Sequence, residues 1–192
     1  TRQMLDYSGK GRFVVTQTDL NELVQENADI FRTAVARTIK MDVYLAPEPC
    51  IIEADPGQIQ QVVMNLITNA SEAIGEKTGV IVLSTGSRVL DEETLGKSLL
   101  EEKPEPGRFA YIEVSDTGCG MDEETIHRIF EPFFTTKFAG RGLGMSAVLG
   151  IVRGHHGAIF VDSAKDKGTT ITVAFPFLEG ATASAAKKRL SS

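Results

Sequence analysis

The chain has 192 residues, 42% of them hydrophobic, with 7% aromatics and no tryptophan, which suits one domain around a mostly aliphatic core. A net charge of −6 argues against gripping nucleic acid through the bulk field, and the basic cluster Lys187-Lys188-Arg189 is too short to change that. No apolar run approaches the ~20 residues that a membrane-spanning helix needs, and Cys50 and Cys119 show neither metal-ligand spacing nor a disulfide framework, which suits a reducing cytosol.

The start, Thr1-Arg2-Gln3-Met4-Leu5, is no signal peptide. It begins mid-pattern, as a piece of a longer chain would. A membrane-bound parent is compatible with this; the piece itself is expected to be cytoplasmic, with no direct membrane contact. Residues 1–8 can end a helix that stops at Gly9-Lys10-Gly11. A second helix follows, with Thr18 or Asp19 as N-cap and Leu20, Leu23, Val24, Ile30, Phe31, Ala34 and Val35 on one side. Short strands fit 42–45 and 50–53, separated by Pro47 and Pro49.

The next helix carries the clearest pattern. Asp55 can cap it, Pro56 takes the first helical position and Gln58 completes a capping-box-like spacing. Ile59, Val62, Val63, Leu66, Ile67, Ala70, Ala73 and Ile74 then form one apolar face, and Gly75 ends it. Strands are expected at 80–85 and 109–115. Between them Gly86 to Gly107, rich in acid and carrying Pro104 and Pro106, reads as a surface excursion. A short helix near 123–130 leads into a Gly- and Phe-rich loop ending at Gly144. A helix from Met145 to Gly154 and strands at 158–163 and 169–177 follow, and residues 179–192, rich in Ala, Ser and Lys, read as a linker. There is no internal repeat. Because strands and helices mix without βαβ alternation, the pattern predicts a two-layer α/β sandwich with a mixed sheet rather than a doubly wound one.

On the helix from Pro56 to Ile74, Gln58, Gln61, Asn65, Asn69 and Glu72 share a narrow stripe beside the apolar face. Gln60, Met64, Thr68 and Ser71 lie on the far side, read as the ordinary solvent face. Amides are common on helix surfaces, yet asparagine is a poor helix former because its side chain competes for backbone hydrogen bonds. Two asparagines one turn apart at the core boundary therefore ask for a reason. Carboxamide oxygens can ligate a hard cation such as Mg²⁺ without adding negative charge beside a triphosphate.

In Val114-Ser115-Asp116-Thr117-Gly118-Cys119-Gly120-Met121 a strand delivers a carboxylate into a turn whose glycines permit close backbone approach. Such a turn can be quite ordinary. Read functionally, Asp116 accepts a hydrogen bond from adenine's exocyclic amine, where guanine would present a repelling carbonyl. Gly140-Arg141-Gly142-Leu143-Gly144-Met145 opens onto a helix, so its N–H groups could meet an anion, or it could be a plain loop. Its spacing is not the dinucleotide fingerprint. Asp91-Glu92-Glu93-Thr94-Leu95-Gly96-Lys97-Ser98 ends like a phosphate-binding loop, but Asp91 replaces the first glycine and two glutamates follow, so that reading is rejected.

Together and in this order the motifs resemble the histidine kinase ATP-binding family of the GHKL superfamily (gyrase, heat-shock chaperone, histidine kinase and MutL types), of the long F-box, nitrogen-regulation-kinase-like type. Residues 61–73 resemble its N box, Asp116-x-Gly118-x-Gly120-Met121 its G1 box, Ile129 to Lys137 its F box, and Gly140-x-Gly142-Leu143-Gly144-Met145 its G2 box. Lys167-Gly168-Thr169-Thr170 resembles the last glycine-threonine box, with Asp166 where a first glycine is often found. The resemblance implies the Bergerat fold over residues 14–178, with 1–13 the end of a dimerisation helix and linker and 179–192 a tail.

It further implies ATP and Mg²⁺ as ligands. Asn69 would hold the metal, with Asn65 beside it, and Glu72 would lie in the nucleotide site. Asp116 would hold adenine in a pocket shaped by Gly118, Gly120 and Met121. Gly142, Leu143 and Gly144 would meet the phosphates, with Thr136, Lys137 and Arg141 from a lid over about 121–141 as further contacts. Thr169 would sit near the adenine-side aspartate. The implied partners are the protein's own dimerisation and phosphoacceptor domain, in a homodimer, and a response regulator receiver domain. The implied function is to donate the γ-phosphoryl group of ATP to a histidine outside this chain. His127, His155 and His156 read as surface or boundary histidines, none in the acceptor pattern. The alternatives are a GHKL-type ATPase, which would carry a glutamate base at the position of Asn65, and an anti-sigma-type serine kinase, which would lack the Phe-Phe-Thr-Thr-Lys stretch.

Overall fold

The computed structural model describes residues 13–132, 134 and 144–180. In chain order its elements are β1 (Thr16–Asp19), α1 (Leu20–Thr33), β2 (Ile39–Tyr44), β3 (Ile51–Ala54), α2 (Pro56–Ile74), β4 (Gly79–Leu90), α3 (Glu92–Gly96), β5 (Gly107–Asp116), α4 (Glu123–Arg128), α5 (Gly144–Gly154), β6 (Ala158–Ser163) and β7 (Thr169–Pro176). β1 and β3 form a two-stranded antiparallel ribbon. The main sheet runs β2-β4-β5-β7-β6, with β2 parallel to β4 and every other pairing antiparallel. Helices α1, α2 and α5 cover one face, giving the expected two-layer sandwich with a mixed sheet.

Local chemistry fixes the helix ends. Asp19, rather than Thr18, caps α1 by accepting the Asn21 N–H at 3.0 Å. The same carboxylate accepts the Cys50 N–H, and burial together with Asp19 pushes the Cys50 thiol up to about 11, so it stays a protonated core residue. Asp55 caps α2 through the Gly57 and Gln58 N–H groups, Pro56 occupies the first turn, and Gly75 closes the helix at φ 69. The apolar face of α2 is buried along its whole length: Ile59, Val62, Val63, Leu66, Ile67 and Ala70 are almost fully removed from water. Each of the five Ile, Val and Leu side chains contributes about 1.5–3 kcal/mol, which is why α2 forms the spine of the helix layer.

Apart from shifted strand ends (β2 starts at Ile39 rather than at residue 42) and His155, the structure departs from the sequence expectations in four places. β1 was not expected; it exists because Thr16 to Asp19 find a partner in β3, with Asp19 opposite Ile51, 32 residues further on (51 − 19), and Thr16 opposite Ala54. Ile30 lies at the margin of the α1 stripe and is 48% exposed. The face of α2 read as solvent-facing is half-buried instead: Met64 packs against the core and the Ser71 hydroxyl accepts the Ala36 N–H from the chain leaving α1. Gln61 and Glu72, on the amide stripe, are the exposed ones.

The fourth departure is the excursion after Gly86. β4 continues to Leu90, and Gly86 is not a strand end but the place where the Tyr111 ring lies across the backbone, leaving no room for a Cβ. Asp91 caps α3 by accepting the Thr94 N–H at 2.8 Å, a bond that lowers its pKa. Leu95 then joins Leu90, Phe109, Ala158 and Ala174 in a small second core on the sheet face away from α2. The rejected phosphate-loop serine, Ser98, is buried, accepting the Ile159 N–H, and Leu99 donates to the Ile159 carbonyl. These bonds occupy the outer edge of β6 and so block edge-to-edge pairing there.

Residues 1–12 and 181–192, where a helix end and a linker are expected, lie outside the described residues. Among the described residues no helix is long and apolar enough to cross a membrane. Truncating Leu95 to alanine should cost about 2–4 kcal/mol in denaturant unfolding. Because the second core lies across the sheet from α2, nucleotide affinity of that variant should stay within about twofold of the parent chain.

Candidate nucleotide site

Two segments that carry candidate residues meet α2 along its amide stripe. The turn after β5 meets its C-terminal end: the Cys119 N–H donates to the Ala73 carbonyl at 3.1 Å, and a Cβ on Gly118 would lie 2.7 Å from the Ala73 backbone carbon. Asn69 sits one turn before Ala73 and is half-buried. Asn65 sits one turn earlier still, and its Nδ2 donates to the Gly144 carbonyl at 3.1 Å, at the first residue of α5. Asn65 and Ala73 are eight residues apart, about 12 Å along a helix. One strip of α2 therefore joins the Asp116 turn at one end to Gly144 at the other.

Asp116 ends β5 as a buried carboxylate, 8% exposed, whose Oδ1 accepts the Gly118 N–H at 2.8 Å. This bond folds the chain back on itself and holds the carboxylate at the head of the turn. Thr169 lies directly opposite Asp116 in the β5–β7 register, is buried, and shares a 2.7 Å hydrogen bond with Ser163. Ser163 also accepts the Met121 N–H at 2.8 Å and donates to the Gly168 carbonyl. One hydroxyl thus ties the Met121 end of the turn to the β6–β7 connection. Ser163 carries no recognisable motif, and sequence reasoning passed over it; its signal was only its place at the end of a strand facing the glycine-threonine box.

Backbone contact explains the glycines. Gly120 has φ 66, and a Cβ there would strike the Ala164 carbonyl; Gly168 has φ 77, and a Cβ there would strike the Asp116 carbonyl. Asp166, which stands where a first glycine is often found, adopts φ 65, the conformation a glycine would favour, and its N–H donates to the Cys119 carbonyl. Aspartate tolerates this region better than most residues.

Among the described residues no three His, Cys, Asp or Glu side chains gather as a metal cage. The donor set on α2 is instead amide oxygen. With its Nδ2 committed to Gly144, Asn65 keeps Oδ1 as an acceptor, beside Asn69 on the same stripe. That set fits a Mg²⁺ that keeps few protein ligands and completes its shell with phosphate oxygens and water.

Of the sequence-predicted residues, the structure brings together Asn65, Asn69, Asp116, Gly118, Gly120, Met121, Gly144 and Thr169 around this strip. Glu72 projects from its exposed side. Thr136, Lys137, Arg141, Gly142 and Leu143 lie outside the described residues. His127 and His156 are exposed, whereas His155, read from sequence as a surface or boundary residue, is buried at 7% exposure because α5 ends beneath β7 and the chain before β1. Gly168→Ala should destabilise the fold by at least about 2 kcal/mol through left-handed backbone and the carbonyl collision. Asp166→Gly, by contrast, should leave stability within about 1 kcal/mol, since relieved strain offsets added chain entropy; urea unfolding measures both.

Comparison with known proteins follows the same lines. Residues 54–179 match the family model of histidine kinase-, DNA gyrase B- and HSP90-like ATPases. The chain is 34% identical over 179 residues to the sensor kinase CckA of Brucella abortus, covering 92% of this chain and 18% of that protein. It is 35% identical over 159 residues to the sensor histidine kinase ZraS of Klebsiella oxytoca, covering 82% of this chain and 30% of that protein. It therefore spans less than a third of the length of these relatives. Among solved structures it resembles the catalytic domain of the histidine kinase ThkA with a TM-score of 0.63 at 28% identity, over 85% of this chain and 96% of that one. From its buried spine, its glycine-locked turn and these matches, the chain belongs to the family of histidine kinase-, DNA gyrase B- and HSP90-like ATPases.

Proposed function

We propose that the chain is the ATP-binding catalytic domain of a two-component sensor histidine kinase, which binds Mg-ATP and presents its γ-phosphoryl group to a histidine outside residues 1–192. The observation that carries this is the Asn65 bond to the Gly144 carbonyl. A carbonyl can only accept, so the residue opposite it must donate. A glutamate, the base that an ATPase of this superfamily would carry there, could not make that bond at neutral pH. The site is thus suited to holding a phosphoryl donor without activating water against it.

Phosphoryl transfer asks little covalent chemistry of a protein; it asks for positioning and for matched charge. Asp116 would accept from the adenine amine while Thr169 and Ser163 hold the opposite wall. Asn69 and Asn65 would hold Mg²⁺ through neutral oxygens, and the metal would neutralise charge on the phosphates. The N–H groups that open α5, next to the Asn65–Gly144 contact, would favour an anion. Gly142, Leu143, Arg141, Lys137 and Thr136 are assigned to the phosphates on the resemblance alone.

None of the three histidines suits the acceptor role. His127 lies on the six-residue α4, His156 lies in a turn, and both ring nitrogens of His155 are engaged with backbone. The acceptor, its dimerisation domain and a receiver domain are the proposed partners. Support for the receiver comes from ThkA, 26% identical with a TM-score of 0.66, solved in complex with the response regulator protein TrrA. A cytoplasmic location goes with this reading.

Calorimetric titration should show Mg-ATP binding that Asn69→Ala loses in its magnesium-dependent part. Asp116→Asn should weaken ATP binding by about 10- to 100-fold and shrink the preference over GTP, because an amide can donate to the guanine carbonyl. Incubated alone with Mg-ATP, the chain should form no acid-labile phosphohistidine; finding it would refute the placement of the acceptor elsewhere.

A further inference from the structure

His155 is a buried imidazole that the proposed chemistry does not use. Its Nε2 lies 3.2 Å from the Asp55 N–H, and its Nδ1 lies 2.7 Å from the Ile151 carbonyl. The backbone N–H can only donate and the carbonyl can only accept. The proton therefore sits on Nδ1, and the ring is neutral. Asp55 is the N-cap of α2 and Ile151 belongs to the last turns of α5, so the ring bridges the head of one helix to the tail of the other.

The chain entering the domain is fastened to the same point. The Phe13 ring meets the imidazole edge-on, 5.3 Å between centroids, and the Val14 N–H donates to the Asp55 carboxylate at 3.2 Å. Phe175 of β7 closes the other side at 6.0 Å. α2 and α5 run antiparallel, because Asp55 pairs with His155 and Asn65 pairs with Gly144. These two polar clamps are ten residues apart on α2 (65 − 55) and eleven on α5 (155 − 144), about 15 Å of helix in each case. One clamp holds residues assigned to the nucleotide; the other holds the entering chain.

We propose that His155 is a positioning residue for the nucleotide site, whose neutral imidazole locks the head of α2 to the tail of α5 beneath Phe13 and so sets how Asn65, Asn69 and Gly144 face one another. This rests on the nucleotide site described above. The charged groups acting on the ring are Asp55, from the head of α2, and His156, from its own turn; β7 and the entering chain present only Phe175 and Phe13. Burial, above all, holds the ring's pKa below its ordinary 6.5. The sign follows: below that ordinary value the unfolded chain takes up the proton before the folded one does, so stability falls as pH drops from 6.5 toward the lowered folded value. Protonation places a hydrogen on Nε2 against the Asp55 N–H and opens the clamp.

The test uses the 192-residue chain, in its parent form and as His155→Asn and His155→Gln. An asparagine can keep the Nδ1-like donor but has no acceptor reaching Asp55. A glutamine can reach Asp55 with its Oε1 and cannot titrate. At pH near 7.5 and well below the unfolding midpoint, His155→Asn should bind Mg-ATP about 3- to 10-fold more weakly, and amide exchange should quicken at residues 65–69 and 144–147 but not in α1. His155→Gln should restore affinity to within about threefold and flatten the extra loss of affinity that the parent chain shows between about pH 7 and 5. Titration of the nucleotide is common to both chains and cancels in that comparison. Unchanged affinity and unchanged exchange in His155→Asn would overturn the proposal. The exchange readout needs no nucleotide, so it still decides should the parent chain fail to bind Mg-ATP, a result that would refute the functional reading instead.

Discussion

The backbone carbonyl of Ala73 and the side-chain amide of Asn65 tie α2 to the two segments that would enclose a nucleotide, and the rest of the domain serves to hold α2 still while they do so. Its apolar face is buried from Ile59 to Ile74, so the helix cannot rotate without exposing several large side chains. Rotation by one residue would turn the stripe by about 100° and carry both asparagines out of register with the Asp116 turn and with Gly144. The energy that fixes the site therefore comes mostly from the opposite side of the same helix.

Close approach does the rest. Gly118 lies against Ala73, Gly120 against the Ala164 carbonyl and Gly168 against the Asp116 carbonyl. Three backbone segments pack where any Cβ would part them, and each is then bonded: Cys119 to Ala73, Asp166 to Cys119, Met121 to Ser163. Bonds of this kind hold the three segments in one register. They brace this corner through the protein's own backbone, so that in the proposed function nucleotide binding would cost little rearrangement of it.

Much of this was legible in the sequence because it depends on local rules. α2 reads from Asp55 to Gly75 because its cap, its proline, its period and its terminating glycine all lie within one window. The Asp116 turn reads from its glycines, and β6 from the short apolar run Ala158–Val161 after Gly157. What could not be read depends on partners distant along the chain. β1 is a strand only because β3 lies beside it. Gly86 looks like the end of β4 until Tyr111 is known to cross it, and the acidic stretch after it looks like a surface loop until Leu95 is seen to cover a second core. The half-buried far side of α2 required knowing that the chain leaves α1 over Ser71. His155 was misplaced for the same reason: nothing beside it in sequence shows that Asp55, 100 residues earlier, points its N–H at the ring.

An amide in place of a carboxylate at position 65 decides more than the ligand of a metal. A carboxylate facing the Gly144 carbonyl would set two acceptors against each other and push the start of α5 away. An asparagine draws α5 in and at the same time leaves that position without a carboxylate able to take a proton from water. Structural closure and chemical restraint are therefore one choice of residue. Under the proposed function both would matter: the start of α5 would lie near the phosphates, and no carboxylate at position 65 would activate water there. The second clamp, at His155, then has a reason to be polar as well, since a buried apolar contact would slide where two directional hydrogen bonds hold a fixed register.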